Sequence, residues 1–223
     1  MAISYNPHTI TDGLVLCLDA ANTKSYPGSG TTWTDLSGNG NNGTLVNGVG
    51  YSGSNLGSLT FDGVNDYVSL SQNITLDFNR TFFFYISALP STGIYHLLNS
   101  VSIGGFQNRI SITRTGLNFY RGDNDLVSRN FTGGSQENRF FAILTDNTNL
   151  YTIEPGMTSL PAGSSLNSLP NGPRSFDSIG YQSTGSSWVY FNGKIPYFTY
   201  YNRSLSLAEI QQNFNATRSR YSV

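Results

Sequence analysis

The sequence predicts an all-β fold, an antiparallel β-sandwich of the jelly-roll type that ends in one short helix. Short runs rich in aromatic and β-branched residues recur along the chain, and clusters of Gly, Asn and Ser separate them, which is typical of strands joined by turns. A clear helix signal occurs once, at Ser206 to Glu209. With 223 residues, the chain is long enough to form one such sandwich as a single domain.

The first elements are an arm and a buried strand. Residues 1–11 have no hydrophobic period, which predicts an N-terminal arm that is either a disordered tail or an assembly contact. Residues 12–217 form the predicted sandwich domain, and its first strand runs from Gly13 to Leu18. The Gly- and Asn-rich segment from Gly38 to Gly43 predicts a tight corner, because these residues tolerate a positive φ angle.

The middle of the chain predicts a central strand and two hairpins. The run from Thr81 to Ile86 is the strongest β signal, since five of its six residues are Phe, Tyr or Ile. The two hairpins turn across Arg114 to Gly116 and across Asp146 to Asn149, where polar side chains supply turn hydrogen bonds. His96, which is surrounded by apolar residues, is interpreted as a packed and hydrogen-bonded histidine.

The last elements are a strand with an irregularity and the helix. Pro196 interrupts the strand from Gly193 to Tyr201 and removes a backbone donor, which predicts an edge or a bulge. The capping box at Ser206 begins a helix predicted to extend to about Thr217, with Leu207, Ile210 and Phe214 on its apolar face. Residues 218–223 are predicted to be a polar tail.

The composition excludes several classes of protein. Charged residues make up 11% and the net charge is −1, so the chain lacks the basic stripe that binds nucleic acid. No segment approaches the roughly 20 apolar residues of a membrane span, and residues 1–8 lack the features of a signal peptide. We therefore expect neither membrane insertion nor export. The single cysteine, Cys17, is predicted to be a small buried residue.

Four blocks, in order, resemble the concanavalin A-like lectin/glucanase superfamily. They run from Gly13 to Ala20, Asp35 to Leu45, Phe61 to Val68 and Phe191 to Ile210, within a match over about residues 12–217. Within the superfamily they are most similar to the laminin G-like, pentraxin-related branch found in virion and tail-associated proteins of marine bacteriophages. The resemblance implies two stacked antiparallel sheets, and it leaves the activity open because this fold hosts lectins, hydrolases and assembly modules.

The chain is expected not to be an enzyme. Glycosidases need two carboxyl groups that flank one bond, about 5 Å apart in retaining enzymes. The three glutamates, Glu137, Glu154 and Glu209, are scattered over predicted loops and the helix cap, so we predict no catalytic residues.

Calcium is the one cofactor that the sequence suggests. Carboxylate and amide oxygens suit this ion, and such residues accompany two predicted turns: Asp35, Asn39, Asn41, Asp62 and Asp66. If the turns lie at the same end of the sandwich, these residues form a calcium site. The alternative is that they form turn hydrogen bonds only.

A glycan site needs an exposed aromatic ring surrounded by amides and hydroxyls. The sequence offers such a set at one end of the sandwich: Gln107, Asn108, Tyr181, Gln182 and Trp188. The alternative interpretation is that the aromatic residues of this set belong to the core.

Two functions follow from these features. The preferred one is a bacteriophage virion structural protein, made in the host cytoplasm, whose lectin-like sandwich serves assembly, decoration or display on a tail, fibre or capsid surface. Its partners are then other virion proteins and further copies of itself in a homo-oligomer. The alternative is a carbohydrate-binding adhesin that recognises host surface glycans.

Overall fold

A computed structural model describes residues 8–54, 57–99, 108–121, 124–132, 136, 138–165, 174–184 and 187–221. These residues form 18 strands and one helix: β1 Leu14–Asp19, β2 Thr32–Trp33, β3 Gly43–Val46, β4 Gly50–Ser52, β5 Ser58–Asp62, β6 Tyr67–Leu76, β7 Arg80–Ser87, β8 Tyr95–Asn99, β9 Asn108–Ile112, β10 Gly116–Arg121, β11 Asn124–Asn130, β12 Arg139–Thr145, β13 Asn149–Ile153, β14 Ser164–Ser165, β15 Arg174–Ile179, β16 Tyr181–Thr184, β17 Ser187–Tyr190, β18 Asn192–Tyr201 and α1 Leu207–Tyr221. The predicted all-β class with one C-terminal helix is confirmed.

The strands form two antiparallel sheets and a separate hairpin. The first sheet has the order β14-β13-β12-β7-β18-β5-β4, with β1 also paired to β18. The second sheet has the order β11-β10-β9-β8-β15-β6-β3-β2. The hairpin β16–β17 lies against β8. Buried side chains from both sheets share one apolar cluster, so the two sheets stack as a sandwich.

The position of the central strand β7 explains why its sequence is apolar at successive residues rather than at every second one. Phe82 and Phe84 belong to the cluster between the sheets, whereas Phe83 and Tyr85 belong to a second cluster on the outer face of the first sheet. Helix α1 covers this outer face with Ile210 and Phe214. Because both faces of β7 are buried, both sets of its side chains are apolar.

The two hairpins and the irregularity at Pro196 are confirmed. Strands β9 and β10 form one hairpin, in which Ile112 and Leu117 are the pair next to the turn. Strands β12 and β13 form the other, in which Thr145 and Leu150 are the pair next to the turn. The register of β18 against β7 shifts between Lys194 and Tyr197, which is a bulge at the proline.

Helix α1 begins where the capping box predicts. The Ser206 N–H donates to Glu209 Oε2 over 2.8 Å, and the Glu209 N–H donates to Ser206 Oγ over 3.3 Å. The helix ends at Tyr221, four residues beyond the predicted end at Thr217, so residues 218–221 are helical.

The described end of the arm lies along this helix. The Ile10 N–H donates to Asn213 Oδ1 over 2.8 Å, and Gln212 Nε2 donates to the His8 carbonyl over 2.7 Å. Residues 1–7 lie outside the described residues, so the arm's role in assembly stays a prediction. Among the described residues, no helix has both the length and the apolar character needed to cross a membrane.

Candidate functional site

A row of polar side chains crosses the outer face of the second sheet. Directly paired residues share a face of a sheet, and the pairing joins five polar residues across five strands: Arg109, Asn99, Ser178, Ser69 and Thr44. The neighbouring row, one residue along, is apolar, buried and part of the core: Ile110, Leu98, Ile179, Val68 and Leu45. The outer face therefore presents hydroxyl, amide and guanidinium groups.

The centre of the polar row is buried although it lies outside the core. Asn99 is 1% exposed and Ser178 is 3% exposed, and the hairpin β16–β17 lies against the strand that carries Asn99. The side-chain oxygen of Asn99 accepts no hydrogen bond from the described part of the chain. This amide oxygen is enclosed beneath the hairpin, so the hydroxyl groups of the row that face solvent are those of Ser69, which is half-buried, and Thr44, which is exposed.

Three tyrosines lie together on the same side of the sandwich. The ring of Tyr181 lies 4.9 Å from that of Tyr67 and 5.6 Å from that of Tyr190, with an interplanar angle of 29° in the second pair. All three side chains are half-buried. Tyr67 shares the outward face of β6 with Ser69, so this tyrosine patch adjoins the polar row. Partly exposed aromatic rings beside hydrogen-bonding groups are what a sugar ring requires.

Gly180 sets the direction in which the chain leaves β15 for the hairpin β16–β17. Its φ angle is +87°, a left-handed conformation that favours glycine. Its N–H donates to the Leu97 carbonyl over 3.0 Å, and its carbonyl accepts the Phe191 N–H over 2.8 Å. A Cβ atom here would lie 3.1 Å from the Phe61 ring. The glycine therefore ends β15 and begins the hairpin that carries Tyr181 and Tyr190.

The structure describes only some of the residues of the predicted glycan site. Tyr181, which is half-buried, lies in the tyrosine patch. The backbones of Asn108, Gln182 and Trp188 lie in β9, β16 and β17, with their side chains outside the described set, and Gln107 lies outside the described residues. The sequence reasoning missed Tyr67, Tyr190 and the polar row. The alternation of Tyr67 and Ser69 with buried Val68 and Leu70 was the available signal.

His96 is packed and hydrogen-bonded, as predicted. It lies on the outer face of the second sheet, is 6% exposed, and its Nδ1 lies 2.6 Å from Ser111 Oγ. Burial, and after it the nearby positive charge of Arg109, together lower the pKa of His96 to about 4.

We expect His96 to make the protein less stable at mildly acidic pH. Between an unfolded pKa of 6.5 and a folded pKa of about 4, the unfolded chain binds a proton that the folded protein does not. The free energy of unfolding should therefore fall as the pH is lowered through this window, by about 3 kcal/mol at pH 4. Urea unfolding of the wild type and of His96→Asn at several pH values measures this slope.

His8→Asn is the control, because His8 is exposed. It should keep the wild-type slope, whereas His96→Asn should flatten it. Equal slopes in the wild type and in His96→Asn between pH 6.5 and pH 4 would contradict the assignment.

The carboxylate of Asp35 accepts hydrogen bonds from its own turn and from β1. Its Oδ1 accepts the N–H groups of Cys17 and Ser37, and its Oδ2 accepts the Ser37 hydroxyl and the Asn41 N–H, at 2.7 to 3.0 Å. The side-chain amides of Asn39 and Asn41 donate to backbone carbonyls of β1. Since N–H and O–H donors surround this carboxylate, the residues do not fit a cation that takes six to eight oxygen ligands.

The second half of the predicted calcium site is at the other end of the sandwich. Asp62 pairs with Asn192 in β18, whereas Cys17, which binds Asp35, pairs with Thr199 in the same strand. Seven residues at about 3.3 Å each place the two carboxylates on the order of 20 Å apart. Asp62 and Asp66 instead accept backbone N–H groups within their own turn.

The five residues are therefore not brought together in one site, and their carboxylates make the turn hydrogen bonds of the alternative interpretation. The two turns lie at opposite ends of the β3–β6 pair: Asp35 contacts Asn41 and Asn42 before Gly43, whereas Asp66 precedes Tyr67, which pairs with Val46. The described residues contain no cluster of three or more His, Cys, Asp or Glu side chains with metal-binding geometry.

Comparison with known proteins gives matches to solved structures only. No protein-family model matches the chain, and no curated protein sequence matches it. Trypanosoma rangeli sialidase in complex with sialic acid matches with a TM-score of 0.63 and 17% identity, over 95% of this chain and 34% of that chain. The binding domain of botulinum neurotoxin DC in complex with rat synaptotagmin II matches with a TM-score of 0.62 and 16% identity, over 94% of this chain and 52% of that chain.

A further match concerns a glycolipid-binding protein. Botulinum neurotoxin type C, whose cell entry depends on interaction with two ganglioside molecules, matches with a TM-score of 0.62 and 19% identity. The match covers 93% of this chain and 52% of that chain. The chain thus spans about a third of the sialidase and about half of the neurotoxin structures.

These matches confirm the β-sandwich fold and correct one expectation. The expectation that the chain is not an enzyme is contradicted, because six of the matched structures are of a sialidase, which is an enzyme. At these identities the matches show the fold alone. Since no family model matches, the laminin G-like branch and the bacteriophage origin stay predictions.

Proposed function

We propose that this protein is a glycan-binding lectin-like sandwich whose binding surface is the outer face of the second sheet. The observation that carries the proposal is the tyrosine patch of Tyr67, Tyr181 and Tyr190 beside the polar row. A sugar ring has an apolar C–H face and a rim of hydroxyl groups. The patch provides a partner for the face, and the row provides partners for the rim.

The solved structures support the same proposal. One neurotoxin match is a protein that interacts with gangliosides, which are glycolipids, and the chain covers about half of it. In this chain Ser69, which is half-buried, and Thr44, which is exposed, provide hydroxyl groups on the outer face of the second sheet. These two residues pair directly in the polar row, so one bound oligosaccharide can contact both together with the tyrosine patch.

A glycan array that includes ganglioside oligosaccharides tests the proposal, followed by calorimetry with the strongest binder. We expect Tyr181→Ala to weaken binding at least about tenfold, which corresponds to the loss of about 1.4 kcal/mol of stacking. Phe78→Ala is the matched control. Phe78 is an exposed aromatic residue, 44% accessible, just beyond the end of β6 opposite to Tyr67.

The control should bind like the wild type. A folded protein that binds no sugar on the array would overturn the proposal. Equal binding by Tyr181→Ala and the wild type would exclude the tyrosine patch as the binding surface.

A bacteriophage virion role is a second candidate. The four sequence blocks between Gly13 and Ile210 favour it, because they resemble proteins of phage particles. In this role the sandwich displays the glycan site on a particle, as an adhesin or decoration protein, in a homo-oligomer. Mass spectrometry of purified virions of the encoding phage tests the role, and absence of the protein from the particles would exclude it.

A further inference from the structure

A polar pocket opens on the outer face of the first sheet, on the side of the sandwich opposite to the tyrosine patch. Its volume is about 200 Å³, and the side chains that line it come from β5, β7, β18 and the adjoining loops: Ser54, Ser58, Tyr85, Ser87, Ala88, Asn138, Lys194 and Pro196. A pocket of this size is smaller than the 300 Å³ or more that drug-sized ligands occupy, so it suits one monosaccharide.

The backbone around the pocket departs from regular strand geometry in three places. The register between β18 and β7 shifts between Lys194 and Tyr197. Ala88, which follows β7, has a φ angle of 56°, and its N–H donates to Asn138 Oδ1 over 3.1 Å. Gly193 has a φ angle of 141°, and a Cβ atom there would lie 3.2 Å from the Ser87 carbonyl oxygen. Bulges and left-handed residues concentrate at binding sites, where they redirect side chains.

The lining groups define the chemistry of a ligand. Lys194 is the only charged residue among them, it is half-buried, and its ammonium group has no hydrogen-bond or ion-pair partner among the described residues. Three serine hydroxyls and the Asn138 amide surround it. An ammonium group in this setting favours an anion, and hydroxyl and amide groups favour a partner with hydroxyl groups of its own.

We infer that the pocket is a second binding site, which takes an acidic monosaccharide with one carboxylate. The carboxylate accepts from Lys194 Nζ, and the sugar hydroxyls bond with the serines and Asn138. The Tyr85 ring and Pro196 provide the apolar surface for the face of the ring. The site is independent of the tyrosine patch, because it lies on the other sheet.

The lysine content of the chain allows a direct test. The sequence contains two lysines, Lys194 in the pocket and Lys24, which is exposed elsewhere on the surface. Reductive methylation with ¹³C gives one NMR signal for each lysine and keeps both charges. We expect glucuronate to shift the Lys194 signal in a saturable manner and to leave the Lys24 signal in place. Glucose and acetate, tested at the same concentrations, should bind at least about tenfold more weakly.

Variants give the second arm of the test. Lys194→Met should remove glucuronate binding, whereas Lys24→Met should preserve it. The inference is overturned if both lysine signals move together, if neither moves, or if glucose or acetate matches glucuronate. The titration of the unmutated protein decides the question even if Lys194→Met does not fold.

Discussion

Replacement of Phe84 by alanine is expected to lower the free energy of unfolding by about 3–5 kcal/mol. Phe84 lies at the centre of the first sheet, is 0% exposed, and pairs directly with Phe141 in β12 and with Phe198 in β18. Its ring lies 5.4 Å from the Phe141 ring and 4.6 Å from the Phe198 ring. The variant leaves a cavity between the two sheets and removes both ring contacts.

Urea unfolding monitored by circular dichroism measures the loss. Phe78→Ala is again the control, because this exposed phenylalanine should change the stability by no more than about 0.5 kcal/mol. A loss below about 1 kcal/mol for Phe84→Ala would mean that the ring row across β12, β7 and β18 does not hold the core together.

Replacement of Arg139 by methionine should have an effect of similar size, for an electrostatic reason. The Arg139 side chain is 2% exposed, and its Nη1 lies 2.9 Å from Glu154 Oε2. The guanidinium also lies 4.2 Å from the centre of the Phe131 ring. Without Arg139 the Glu154 carboxylate, whose side chain is 12% exposed, stays behind without its countercharge. Loss of one partner of a buried ion pair costs about 3–5 kcal/mol.

The double variant Arg139→Met with Glu154→Gln separates the two causes of this loss. Glutamine keeps an oxygen that can accept the Thr132 N–H, which now binds Glu154 Oε1 over 2.7 Å, and it removes the buried charge. We expect the double variant to be more stable than Arg139→Met alone. If chemical denaturation shows no recovery, the loss comes from the packing of Arg139 on Phe131 rather than from the charge.

Local features of the fold were predictable because they depend on neighbouring residues. The capping box at Ser206 requires only the next three residues, and the turn at Asp146 requires only the side chains of the turn itself. The aromatic run of β7 predicted a central strand for the same reason. Its lack of alternation also reflects helix α1 on the outer face, and a packed helix more than 100 residues away cannot be read from the run alone.

The candidate site was predictable only in part because it depends on strand order. Tyr181 could be named as an aromatic residue near a turn, but Tyr67 lies more than 100 residues earlier in the chain. The two meet because β15 pairs with β6, a pairing that composition and periodicity do not determine. The same dependence applies to the calcium candidates: Asp35 and Asp62 occupy similar turns in the sequence, and only the strand pairing shows that these turns lie at opposite ends of the sandwich.

A crystal structure of the protein with its strongest array oligosaccharide tests the proposed glycan site most directly. We predict a sugar ring stacked on Tyr181 or Tyr190, with its hydroxyl groups directed to Ser69 and Thr44. An oligosaccharide bound only elsewhere on the protein, with the tyrosine patch in contact with solvent, would contradict this proposal.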